Sequence, residues 1–125
     1  MAQETKNFDA GADITAFSIV KPGADDKHVV LAAAATDKLL GVTTIVPSKA
    51  GEPADVTYRG VAPVKLAGPV ALGDFITANG AGLGIKAAPG VGAHVRTIGT
   101  ALEDGAAGDI VDIDVQPGAI TNPAV

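Results

Sequence analysis

Apolar residues along this chain fall in short runs, each closed by a residue that tolerates or imposes a turn. Val111, Ile113 and Val115 alternate with Asp112 and Asp114, the period of two of a strand with one buried and one wet face. Val56 and Tyr58 alternate in the same way with Asp55, Thr57 and Arg59. Downstream lie the apolar runs 61–66, 75–76 and 83–85, separated by Gly68-Pro69, Gly73-Asp74 and Asn79-Gly80. Those dipeptides favour turn dihedrals, so the stretch predicts strand, corner, strand and hairpin. Gly73-Asp74-Phe75-Ile76 is echoed by Gly108-Asp109-Ile110-Val111, so a Gly-Asp turn launches a strand twice. Further strands are predicted over 14–20, with Phe17 and Ile19 on one face, over 28–31, over 42–46 ahead of Pro47, and over 95–101. Pro63 marks 61–66 as an edge or bulged strand, since proline cannot donate to a ladder.

One helical signal interrupts this pattern. Four alanines, 32–35, precede Thr36-Asp37 and Lys38-Leu39-Leu40, with Gly41 behind them. Alanine propensity, a capping residue and a terminal glycine predict a short helix near Asp37–Leu40. The fold expected is therefore all-β, a small single-domain sandwich or barrel of about eight short strands with that one helix. Residues 1–13 read as an extended polar arm, 14–115 as the β domain, and 116–125, with Pro117 and Pro123, as an extended tail.

Composition refines this picture. With 125 residues the chain is long enough for one core. It is 47% hydrophobic but only 3% aromatic, and much of the apolar count is alanine. Such a core buries little area per residue, and association with other subunits is one way to recover it. The net charge of −5 and singly scattered lysines argue against binding nucleic acid through its phosphates. The absence of cysteine excludes disulfides, zinc–thiolate sites and thiol catalysis. The first residues lack the apolar segment of a signal peptide and no run approaches a membrane span, so the expectation is a soluble protein made in the cytosol.

Candidate chemistry is sparse. Asp109, Asp112 and Asp114 offer oxygen ligands, but without the spacing of a calcium loop. They read as a solvated strand face that resists edge-to-edge pairing. Gly80, Gly82 and Gly84 resemble a phosphate cradle only superficially, because Ala87-Ala88-Pro89-Gly90 follows where a helix would have to start. His28 and His94 are potential general bases. The only serines, Ser18 and Ser48, lack the context of a nucleophile elbow. Asp74 and Asp109 are expected to accept amides of their own turns. No catalytic, cofactor or metal site is expected.

The order of Leu40-Gly41-Val42, Tyr58-Arg59-Gly60-Val61, Gly73-Asp74, Asn79-Gly80 with Gly82, Ile98-Gly99-Thr100-Ala101 and Val111-Asp112-Ile113-Asp114-Val115 resembles the capsid cement, or head decoration, proteins of tailed bacteriophages and prophages. The resemblance spans residues 14–115. Each motif alone is turn chemistry, and the specificity lies in their order. The polar arm and the proline-containing tail depart from the family pattern. The resemblance implies a non-enzymatic virion protein, made in the host cytoplasm, that sits on the outer capsid surface. There it would bind across major capsid protein subunits of the expanded shell and stabilise it, with no nucleic-acid or membrane partner. It would be a homo-oligomer, a trimer ahead of a dimer. The rival readings are a small β-domain enzyme and a ligand-binding module of another assembly. A deep pocket holding His28 or His94 beside a carboxylate would favour the enzyme. Within the arm, Gln3, Glu4, Thr5, Lys6, Asn7 and Phe8 are the expected partner-binding residues, with Phe8 as anchor, ordered on docking. Deleting residues 2–11 is expected to leave the domain folded and oligomeric but weaker on the shell.

Overall fold

The computed structural model describes residues 4–44, 47–89 and 91–121. Nine strands follow one another: β1 Glu4–Ala10, β2 Ile19–Pro22, β3 His28–Leu31, β4 Gly41–Thr43, β5 Pro53–Lys65, β6 Phe75–Ala78, β7 Gly84–Lys86, β8 His94–Ala101 and β9 Ile110–Thr121. Their neighbour order is β1-β3-β2-β4-β5-β9-β8-β6-β7, and β1 also pairs with β5. That extra pairing closes β1, β3, β2, β4 and the first half of β5 into a five-stranded barrel. The second half of β5 pairs with β9, and the sheet continues through β8, β6 and β7. A parallel bridge from Leu66 to Gly84 returns β7 to the end of β5, so a second ring closes by one bridge.

The two rings are copies of one topology, with β5 serving as last strand of the first and first strand of the second. The registers coincide pair by pair. Thr5 faces Thr57, Lys6 faces Val56 and Phe8 faces Ala54; their counterparts Val61, Ala62 and Val64 face Asp114, Ile113 and Val111. The bridge between Ile14 and Ser48 recurs between Val70 and Gly105, and the parallel β1–β3 pair recurs as Leu66–Gly84. Even the crowded glycines match. A Cβ on Gly41 would collide with the carbonyl oxygen of Thr57, and one on Gly99 with that of Asp114. Side chains at both positions are excluded by the neighbouring backbone, which is why a strand tolerates glycine there.

A shared turn launches strands in both copies. Gly51, Gly73 and Gly108 have φ of 87°, 91° and 90°. Around them Glu52, Asp74 and Asp109 accept the amides of Lys49, Ala71 and Ala106 at 2.7, 2.9 and 2.9 Å. Phe17 stands in the fourth such turn with φ of 55°, a left-handed backbone that costs a non-glycine residue about 1–2 kcal/mol. Residues 14–18 are therefore a bridge and a turn ahead of β2, where the spacing predicted continuous strand.

The predicted helix does not form. Asp37 Oδ2 accepts the amides of Ala33 and Ala34 at 2.8 and 3.0 Å and lies 3.3 Å from Lys21 Nζ. The carboxylate thus satisfies a tight turn instead of a helix start. Beyond it Leu39 is buried and the amide of Leu40 donates to Val20, so tertiary pairing overrides alanine propensity. Pro63 lies within β5 opposite Asp112. Leu66 N–H points to Asp109 and Lys65 N–H to Phe17, so by alternation Pro63 turns its missing donor away from β9. The ladder with β9 therefore loses no donor at this position, which is why β5 tolerates a proline within its run. The sheet also crosses both expected segment boundaries: β1 lies within the arm, and β9 runs on through the tail to Thr121.

Two hydrophobic clusters result. Ala10, Ile14, Val20, Val29, Ala54 and Val56 fill the first barrel. The second barrel's core, with Val64, Ile76, Ile98 and Val115, also includes Ile19, Ala32, Leu39 and Val42 from the outer side of the first barrel. The hairpin loop 79–83 is part of that contact: Ile19 donates to Gly82 at 2.7 Å, and a Cβ on Gly82 would lie 3.0 Å from that residue's carbonyl oxygen.

Candidate functional site

Strand alternation places the expected partner-binding residues. Lys6 and Phe8 share the side of β1 on which Ala10 is buried, while Thr5, Asn7 and Asp9 face outward. Phe8 is half-buried against the first barrel's core, and Lys6 Nζ lies 5.2 Å from its ring centroid, within cation–π range. Asn7 Nδ2 donates to Asp55 Oδ1 at 2.9 Å across β1 and β5. Glu4 and Arg59 are 4.0 Å apart and largely exposed, which makes their attraction worth little. Gln3 lies outside the described residues. Residues 4–10 form β1, and its pairing partner here is β5 of the same chain.

Lys6 and Phe8 form one wall of a groove of about 380 Å³. Leu39 and Leu40 ahead of β4, Tyr58 and Arg59 of β5, and Pro117 of β9 supply the rest. Tyr58 continues the inward alternation of Ala54 and Val56, yet it is 36% exposed. The alternation of β5 was visible in the sequence; that Leu40 and Pro117 come beside it was not, because both contacts are long-range. A narrower trough of about 330 Å³ runs along the outer edge of β1 toward Asp26 and Lys27. On the opposite barrel, Leu72, Phe75 and Leu102 are 66%, 48% and 42% exposed. Phe75 pairs with Thr100 and Gly73 N–H bonds Ala101, which gathers the three side chains round one corner.

The remaining candidates are structural in geometry. Asp109 accepts its turn amide, while Asp112 and Asp114 point away from the core side of β9. Among the described residues no three histidine, cysteine or acidic side chains are placed to hold a metal ion. The run Gly80, Gly82, Gly84 is a hairpin loop, in which Asn79 Oδ1 accepts the amides of Ala81 and Leu83 at 2.8 and 3.0 Å. His28 Nδ1 is 2.6 Å from Asp25 Oδ1. That hydrogen bond raises the His28 pKa and lowers that of Asp25. The pair lies on the exposed β2–β3 turn rather than in a deep pocket. Ser18 Oγ bonds Thr15 Oγ1 and Ser48 Oγ donates to the Pro53 carbonyl, so neither hydroxyl is paired with a histidine. No helix among the described residues is long and apolar enough to cross a membrane.

No protein-family model and no curated protein matches the chain. Among solved structures it is similar to the N base of head fiber gp8.5 of bacteriophage phi29, with a TM-score of 0.67 at 16% identity. The match covers 92% of this chain and 95% of that one. At this identity the likeness is one of fold, and it extends over both barrels.

Proposed function

We propose that this chain is a non-enzymatic structural protein of a phage virion. It sits on the outer surface of the head as a homotrimer, binds across major capsid protein subunits and stabilises the expanded shell. The observation that carries this reading is the fold likeness to a head-fiber base along nearly the whole of both chains. The order of turn and strand motifs, which resembles the cement proteins, points the same way. An acidic chain of net charge −5 also suits a surface that must leave packaged nucleic acid alone. Each oligomer would repeat the same weak contacts on a lattice of identical sites, and avidity would hold it there.

Occupancy on particles tests this. Purified protein is mixed with expanded shells, unexpanded shells and free capsid subunits, and bound chains are counted after sedimentation. Saturable binding to expanded shells alone is expected, with shells so loaded resisting a higher temperature. Absence of binding to any shell, or equal binding to free subunits, would overturn the reading.

A further inference from the structure

The join between the two barrels is a template for a contact that this chain leaves unmade on both sides. In the join, the outer side of the first barrel, with Ile19 and Val42 side by side, closes the mouth of the second. Four of the residues lining that mouth are Ala62, Val64, Ile98 and Val115, all buried in the shared core.

The matching registers identify the counterpart of each. In the first barrel the mouth positions of Ala62, Val64, Ile98 and Val115 are held by Lys6, Phe8, Leu40 and Tyr58. Those four residues line the open 380 Å³ groove. On the second barrel, the position of Ile19 is held by Phe75 and that of Val42 by Thr100. Ile19 is fully buried whereas Phe75 is 48% exposed, with Leu72 and Leu102 exposed beside it. The chain therefore ends in an open mouth at one barrel and an uncovered apolar face at the other, and inside the chain those two surfaces are what fit each other.

We propose that a second copy of this chain is the occupant: the Phe75 face of one copy seats in the Phe8–Tyr58 groove of the next, head to tail. Charge supports the pairing. Among the described residues, the charged side chains lining the groove are Lys6 and Arg59, with Glu4 4.0 Å from Arg59 at its rim. Asp114, half-exposed beside Thr100, stands on the opposing face where the first barrel carries the buried Thr57. Opposite charges meet where the in-chain join has uncharged residues, which steers the copies together and fixes their register. Because the two surfaces differ, the contact is heterologous and builds a ring when its rotation closes. The expected grip of the arm on a partner is thus a grip on a neighbouring copy, made by Lys6 and Phe8. The contact concerns the free protein, so its failure would leave shell binding to be judged by particle occupancy.

Mass in solution tests it with two full-length variants. Phe75→Lys spoils the face and sets a cation against Lys6 and Arg59; Tyr58→Asp spoils the groove and sets an anion against Asp114. Wild-type chain is expected at a fixed multiple of the chain mass. Each variant alone is expected as a single folded chain, its dissociation constant raised about thirtyfold or more. Mixed in equal amounts, the two variants should associate into particles of two or more chains, because one intact face meets one intact groove. Circular dichroism checks that each is folded, and Leu102→Lys with Lys6→Glu replaces any variant that is not. A monomeric wild type, variants that keep the wild-type mass, or a mixture that stays monomeric would each overturn the proposal.

Discussion

Thr77 lies within β6 and is buried, yet its Oγ1 has no hydrogen-bond partner among the described residues. A hydroxyl taken from water without a partner costs about 1–3 kcal/mol. Valine has nearly the same shape and no such group, and β-branching suits the strand. Thr77→Val is therefore expected to stabilise the fold by about 1 kcal/mol, which raises the melting temperature by about 4 °C in a domain of this size. Thermal unfolding followed by circular dichroism measures it, and a fall in melting temperature would mean the hydroxyl is satisfied in solution. Phe17 carries strain of another kind. Its left-handed φ is the one non-glycine case among the described residues, and its carbonyl accepts Lys65 N–H at 3.0 Å across the join. Backbone cost at one residue is offset where the two barrels meet.

At the level of strands, much of the pattern was legible because period two and turn residues are local. The alternation of Val111, Ile113 and Val115 became β9, and Asn79-Gly80 became the β6–β7 hairpin. The echo of Gly73-Asp74 in Gly108-Asp109 was real but partial. Glu52 takes the acceptor role in one of the other two turns, and in the last Ser18 Oγ bonds the Thr15 hydroxyl instead, so the 56-residue spacing of Ile14 and Val70 was hidden by changed side chains. Residues 4–10 read as an arm because Glu4, Lys6 and Asn7 are polar. Polarity there reflects an open mouth above β1, not a lack of pairing. The backbone of β1 pairs with β5 in unbroken register from Thr5 to Asp9, with a shift at Glu4, and ends in the buried Ala10. Deleting residues 2–11 is therefore expected to open the first barrel rather than leave it intact, against the sequence expectation. Removing a stave bares the β5 edge and the core behind it, a loss comparable with the ~5–15 kcal/mol that holds a domain of this size. A broad, non-sigmoidal melt is the result anticipated; an unchanged midpoint would return these residues to the role of an accessory arm.

Taken whole, the molecule is two copies of one barrel that cannot be separated without cutting a strand. β5 runs 13 residues through both, and the second barrel's core is completed by Ile19, Ala32, Leu39 and Val42 of the first. A continuous strand with a shared core resists extension between the two halves better than a linker would. The energetic consequence is measurable. A fragment of residues 53–121 keeps every strand of the second barrel but loses the four residues that close its mouth. Ala62, Val64, Ile98 and Val115 then face water along with the side chains around them. At about 1.5–3 kcal/mol for each large aliphatic side chain re-exposed, the three Val and Ile residues alone forfeit roughly 5–9 kcal/mol, most of what such a domain possesses. The intact chain is accordingly expected to unfold in one transition with equal calorimetric and van't Hoff enthalpies, and the fragment to show no cooperative melt. Two resolved transitions in the intact chain, or a fragment that melts sharply by itself, would show that the barrels are independent bodies tethered by β5.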